Sequence, residues 1–266
     1  MGTVTTHDGT TLAFEDVGSG PPVVLLPGAM NDRGRLVPLA QSLAGHGLRG
    51  IAVDRRARGG SGDRTGGLAG AVEREIDDVR VLVDAVGGGV GGGPVTLLGY
   101  SSGGVLALAA TLADVPVASL VILEAPVVVP GAPARDATIG PELDALVAAG
   151  RNGDAVELYQ TRVVGLPPQA VAGQRDQPWW PALEAVAPSL VYDWAVTDTY
   201  QDASQFAGVG VPTLVLRADD TWPVITASAD ALVAAIPGAR LATVPGRDHA
   251  PDPTATAAAV AAFVGA

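Results

Sequence analysis

Cysteine and lysine are both missing from the 266 residues, and each absence closes a branch of chemistry. Without cysteine there are no disulfides, no thiolate metal site and no thiol nucleophile. Without lysine there is no Schiff base and no phosphate-gripping P-loop lysine, and arginine supplies every positive side chain outside histidine. The three histidines, His7, His46 and His249, are too few and too scattered for a zinc site. A formal charge of −12 with no basic cluster opposes nucleic acid and anionic membrane surfaces. No apolar run reaches the roughly 18 residues needed to cross a bilayer. No cationic stretch followed by an apolar one opens the chain, so the expectation is a cytoplasmic protein. The first six residues formally fit a myristoylation pattern, but they read better as a strand. Asp8-Gly9 then turns that strand into a second one at 10–14.

What is present is a large apolar fraction, 48%, enough for a sizeable core. It is organised in short continuous runs: 23–26, 51–53, 95–98, 120–123, 213–216 and 241–244. Runs of this length predict strands covered on both faces, as in a parallel sheet. Helical stretches fall between them at 36–44, 72–86, 105–112 and 228–235, with a terminal helix over 254–263. The alternation predicts a doubly wound, mostly parallel α/β sheet. In such sheets reactive groups gather at the carboxyl ends of strands. The glycine-rich stretch 87–93 reads as a linker, since no G-x-G-x-x-G opens a helix there.

One motif stands at such a strand end. Gly99-Tyr100-Ser101-Ser102-Gly103 has the form G-x-S-x-G, follows the run 94–98 and precedes the apolar helix over 105–110. A serine on a tight strand-to-helix turn has its hydroxyl lifted clear of the sheet, the arrangement of a nucleophile elbow. Acyl transfer by serine further needs a base, an orienting acid and donors for the oxyanion. His249, in the loop Gly246-Arg247-Asp248-His249-Ala250 after the last strand, fits the base in the chain order Ser…acid…His.

Residues 126–210 break the rhythm. Aromatics are only 4% of the chain, yet this segment holds Tyr159, Trp179, Trp180, Tyr192, Trp194, Tyr200 and Phe206. An aromatic-rich helical insertion between two strands reads as a lid over the sheet's reactive edge. The domain reading is therefore a core of 1–125 and 211–266 with a lid over 126–210. Trp179, Trp180, Tyr192 and Trp194 are candidate substrate contacts, as is Trp222 just past a strand end.

Taken together, the chain resembles the α/β-hydrolase superfamily, in its serine-nucleophile, lid-bearing branch. The matching stretches are Pro27-Gly28-Ala29-Met30, the run from Asp54 to Asp63, the elbow, and Gly246 to His249. The second of these is similar to the superfamily's D-x-R-G-x-G-x-S loop, with Ala57 where a glycine is usual. The resemblance implies Ser101 as nucleophile and His249 as general base. It implies oxyanion donors from the backbone N–H of Ser102 and of Ala29, with Met30 as a neighbour. Where the superfamily usually reads His-Gly, this chain has Pro27-Gly28.

The acid has more than one candidate. Many members carry it after the strand equivalent to 211–216, and an ungapped reading puts Thr221 there. Asp220 reaches the role with a one-residue slip, and Asp219 is a third choice. Other members carry it one strand earlier, where Glu124 directly follows Val121-Ile122-Leu123. Glu124 is preferred, since a carboxylate directly after that strand emerges at the reactive edge.

The expected activity is that of a cofactor-independent, metal-independent serine hydrolase. It would cleave an ester, thioester or lactone of a small, largely apolar molecule, acting as a monomer or homodimer. The alternatives are a C–C bond hydrolase or a lyase or cyclase on the same scaffold, or a protein that binds a small ligand without turning it over.

Overall fold

The computed structural model describes residues 1–87, 93–128 and 134–265. Most of the expected linker at 87–93, and residues 129–133 of the expected lid, lie outside the described residues. Strands β1 (Gly2–Thr5) and β2 (Thr11–Gly18) form an antiparallel hairpin, with Gly9 at φ 84° in the turn that Asp8-Gly9 signals. Strand and helix then alternate through β3 (Pro22–Leu26), α1 (Val37–Gly45), β4 (Arg49–Val53) and α2 (Ala71–Gly87). The same alternation continues through β5 (Thr96–Tyr100), α3 (Ser102–Leu112) and β6 (Ser119–Leu123). A helical segment follows: α4 (Ile139–Ala148), α5 (Asn152–Leu158), α6 (Pro168–Ala172), α7 (Trp180–Val186) and α8 (Leu190–Thr199). The sheet resumes with β7 (Thr213–Asp220), α9 (Pro223–Ala235), β8 (Arg240–Arg247), the two-residue β9 (Ala250–Pro251) and α10 (Pro253–Val264).

The nine strands make one sheet in the order β1-β2-β4-β3-β5-β6-β7-β8-β9. From β4 to β8 every neighbour is parallel, and only the edge pairs involving β1, β2 and β9 are antiparallel. The continuous apolar runs have a direct physical reading here. Successive residues of a strand point to opposite faces, so a strand covered on both sides is apolar throughout. In β3, Val24 and Leu26 join the cluster beneath α2, α3 and α9, while Val23 and Leu25 join the one beneath α1 and α10. The architecture is a doubly wound, mostly parallel α/β sheet.

Between β6 and β7 the helical segment has a core of its own. Leu143, Val156, Trp180, Leu190 and Trp194 pack together, and Ala29 and Met30 from the loop after β3 pack against them. The helices therefore rest on the carboxyl edge of the sheet. Among the described residues, no helix is long and apolar enough to cross a membrane.

Candidate active site

Ser101 occupies the turn between β5 and α3 with φ 54° and ψ −124°, and its N–H donates to Leu123 O at 2.9 Å. Both elbow glycines are required by space. A Cβ on Gly99 would lie 2.1 Å from Gly103 O, and one on Gly103 would lie 2.4 Å from Leu26 O. Ser102 is the first residue of α3, so its N–H has no acceptor inside the helix and stays available at the cavity. The loop after β3 stands directly over the serine. A Cβ on Gly28 would meet Ser101 Cβ at 2.7 Å and Ser101 Oγ at 3.3 Å. That contact makes glycine necessary at 28 and carries the backbone of Ala29 and Met30 to the cavity wall. Of the seven non-glycine residues with positive φ among the described residues, five are Met30, Ser101, Glu124, Asp248 and His249. Strained backbone is thus concentrated at this strand edge, a common property of functional sites. A sixth is Ala57 at φ 61°, which accounts for the glycine usual in that loop.

His249 reaches back from the loop after β8 to the end of β6. Its Nδ1 lies 2.6 Å from Glu124 Oε2. The Glu124 carboxylate is fully buried and accepts two further bonds, from Ala218 N–H at 2.6 Å and from the Thr221 hydroxyl at 2.9 Å. Burial alone would push this carboxyl up. The bonds from His249, Ala218 and Thr221 outweigh it and hold the group below its ordinary value. The imidazole is further fixed by stacking against Tyr100 and Trp222, with ring centroids 5.1 and 4.9 Å away. The Tyr100 hydroxyl donates to His249 O at 2.6 Å. Asp220, the alternative acid, is not part of this constellation. Its side chain is 71% exposed and faces Arg247 at 3.2 Å, because it belongs to the solvent-facing end of β7. Asp219 instead accepts the Gly246 N–H at 3.0 Å.

Ser101 and His249 wall one cavity of about 580 Å³ beneath the helical segment, a size suited to a small molecule. Ser101 Oγ makes no hydrogen bond among the described residues, so its face toward the cavity is unencumbered. Of the aromatic candidates, Trp179 and Trp222 line this space. Trp180, Tyr192 and Trp194 do not, and this corrects the sequence expectation. Trp180 is buried with its Nε1 donating to Glu184 Oε1 at 3.0 Å. Tyr192 is buried with its hydroxyl on Asp63 Oδ2 at 2.8 Å, and Trp194 packs in the helical segment's own core. The Tyr192 ring attaches the segment to the sheet domain, while the two indoles belong to the segment's own core. Among the described residues, no three histidine or carboxylate side chains converge as they would around a metal ion.

A buried charge network lies behind the serine, and sequence reasoning missed it. Asp193 of α8 accepts Arg55 Nη1 and Ser102 Oγ on one oxygen, both at 2.7 Å, and Arg58 Nη2 on the other at 3.0 Å. Arg55 also holds Glu75 in a two-pronged pair. The two arginines then brace the loop after β3. Arg55 donates to Pro27 O at 3.0 Å, and Arg58 donates to Gly28 O at 2.9 Å and Asn31 O at 3.0 Å. Where a His-Gly pair is usual in that loop, guanidinium groups under the backbone do the bracing here. An acid flanked by Tyr192 and Trp194 in a helix apolar on every side was the available signal. Such a helix is buried, and a charge within it needs a partner.

A family model described as the alpha/beta hydrolase family matches residues 23–263. Among solved structures, an alpha/beta hydrolase from Sphaerobacter thermophilus is 40% identical, with a TM-score of 0.85 over 99% of this chain and 100% of that one. An enol-lactonase from Burkholderia xenovorans superposes at TM-score 0.68 with 20% identity, over 100% of both chains. An esterase from Exiguobacterium antarcticum superposes at 0.67 with 23% identity, over 93% of this chain and 91% of that one.

Proposed function

Since the chain belongs to the alpha/beta hydrolase family, we propose that it is a serine hydrolase working through an acyl-enzyme on an ester, thioester or lactone. Ser101 Oγ attacks the acyl carbon and His249 Nε2 takes its proton. The tetrahedral oxyanion is held by the N–H groups of Ser102 and Ala29, each such donor being worth roughly 10²–10³ in rate. Collapse expels the leaving oxygen or sulfur, which takes the proton from His249. Water, deprotonated by the same imidazole, then attacks the acyl-enzyme; the imidazolium returns the proton to departing Ser101 Oγ and the carboxylic acid is released. Glu124 keeps the proton of neutral His249 on Nδ1, so that Nε2 is free to act as base, and stabilises the imidazolium during attack. The segment 126–210 acts as a lid that keeps water from the cavity.

One observation carries this reading. A strained elbow serine and an imidazole share one cavity, and the imidazole is held on its far nitrogen by a buried carboxylate at 2.6 Å. The shared fold with an esterase and an enol-lactonase agrees with ester or lactone chemistry.

A fluorophosphonate probe tests it. Ser101 is expected to be the labelled residue by peptide mass spectrometry, and Ser101→Ala to lose both labelling and p-nitrophenyl ester hydrolysis. Full hydrolysis by Ser101→Ala would end the proposal.

A further inference from the structure

The cavity is apolar on most of its wall, yet a guanidinium opens onto it. Arg135 is half-buried, with its Nη1 donating to the Thr197 hydroxyl at 3.2 Å and its charged carbon 5.5 Å from the centre of the Trp194 ring. The fully buried arginines are each matched by a carboxylate, Arg55 by Glu75 and Asp193, Arg56 by Asp78, Arg58 by Asp193. Half-buried Arg74 and Arg80 each donate to two or more backbone carbonyls, whereas Arg135 has a single neutral acceptor among the described residues. Arg135 forms no ion pair among the described residues, and the adjoining stretch 129–133, Val-Pro-Gly-Ala-Pro, contains no acid that could supply one. Burial depresses its pKa, and the more distant Tyr159 and Asp198 offset this only in part. A desolvated cation without a counter-ion is costly to maintain. An anion entering the cavity would relieve that cost.

Neutral groups beside it have unused hydrogen-bonding capacity. Gln160 sits in the π-helical turn Tyr159–Val163 and lines the cavity. Its Nε2 donates to Gln174 Oε1 at 3.1 Å, while its Oε1 is buried with no partner. Turning both amides over together keeps their bond, with Gln174 now donating to Gln160 Oε1, and presents an NH₂ donor where the orphaned oxygen stood. The Tyr159 hydroxyl, on the same turn, makes no hydrogen bond among the described residues. A π turn in an otherwise α-helical stretch is itself a frequent mark of a functional position.

Resting on the serine-hydrolase reading, we propose that the substrate carries a carboxylate, held by Arg135 with Gln160 and Tyr159, while its ester or lactone carbonyl lies at Ser101. A single guanidinium in a mostly apolar wall matches one monoanion rather than a dianionic phosphate. The substrate class is thus a small acid whose acyl ester or lactone is joined to a free carboxylate through an apolar spacer.

The test uses a pair of esters differing only in charge: the mono-p-nitrophenyl ester of adipic acid and its methyl-capped neutral counterpart. The wild-type protein is expected to favour the free acid in kcat/KM by about 10–100-fold, the worth of a charged hydrogen bond. Arg135→Gln should collapse this ratio toward one, and Arg135→Lys should restore part of it. A ratio that is unchanged in Arg135→Gln, or that favours the neutral ester in the wild type, overturns the proposal. If neither ester is hydrolysed and the fluorophosphonate leaves Ser101 unlabelled, the hydrolase reading has failed instead. Binding of monomethyl adipate against dimethyl adipate, followed by calorimetry in wild type and Arg135→Gln, then decides the carboxylate site. A preference for the acid lost in the variant supports it, and equal binding refutes it.

Discussion

Thr221 donates its hydroxyl to Glu124 Oε2 at 2.9 Å, and that oxygen is the one facing His249 Nδ1. The threonine stands at the position where an ungapped reading of the hydrolase pattern looks for the acid. A carboxylate one strand earlier and a hydroxyl at this position together occupy the space beside the imidazole. With Ala218 N–H on Oε1, the carboxylate is fixed at both oxygens and its orientation is set by the sheet itself.

Replacing Glu124 by Gln keeps the shape but removes the charge that stabilises the imidazolium and selects its tautomer. kcat on p-nitrophenyl acetate is expected to fall by about 10²–10⁴-fold, following the behaviour of serine triads that lose this charge. Asp220→Asn, at an exposed side chain facing Arg247, should stay within about twofold of wild type. The reverse pattern, with Asp220→Asn inactive and Glu124→Gln active, would reject Glu124 as the orienting acid.

The contrast between these two acids shows what the sequence could and could not reveal. Glu124 directly follows a buried strand, so its emergence at the reactive edge was legible from Val121-Ile122-Leu123 alone. The sheet was legible for a related reason, since strands covered on both faces read as short continuous apolar runs bounded by turn residues. The helical segment was harder. Trp179 and Trp180 are neighbours in sequence, yet one lines the cavity and the other is buried against Glu184. Which ring turns inward depends on how short helices pack, and spacing does not encode that. Arg135 carried no sequence signal for a related reason: whether an arginine meets an acid is decided by the fold, and among the described residues this one meets none.

Gly28 makes a second prediction. A methyl group there would sit 2.7 Å from Ser101 Cβ, closer than real Cβ contacts allow, and the loop must move to admit it. Movement of even about 1 Å displaces the Ala29 N–H from the oxyanion, a shift that costs on the order of 10²-fold. Gly28→Ala should therefore lower kcat by about 10²-fold while fluorophosphonate labelling is slowed rather than abolished. Unchanged kcat would place the second oxyanion donor elsewhere.

Acid should weaken the fold through two carboxylates in particular. Burial raises the pKa of both Glu124 and Asp193, but it is outweighed by hydrogen bonds from His249, Ala218 and Thr221 at the first and by Arg58, Arg55 and Ser102 at the second. Both groups thus bind protons less readily folded than unfolded. The stability they add is fully present above the unfolded-state values near pH 4 and is lost as pH falls through their lower folded values. Their share of the urea midpoint should be level from neutral pH to about pH 5 and decline below it, read as the difference between the wild type and a variant lacking the group. Glu124→Gln should show a shallower decline, because one of the titrating groups is gone. An identical acid slope in both proteins would contradict this assignment.

The deepest coupling joins Asp193 to Arg58, whose side chains are both fully buried. Among the described residues Arg58 has no other carboxylate partner, whereas Arg55 retains Glu75 if Asp193 is neutralised. Asp193→Asn therefore strands one buried guanidinium, a loss expected to cost about 3–5 kcal/mol in urea unfolding. Arg58→Gln leaves the Asp193 charge shared with Arg55 and should cost less. It also withdraws the donor from Gly28 O and Asn31 O, so the oxyanion loop loses its brace and kcat should drop even where the protein is fully folded. In the double variant the two stability losses should fall short of their sum by about 1–3 kcal/mol, as for residues in direct contact. Strict additivity in that cycle would mean that the pair contributes nothing as a pair.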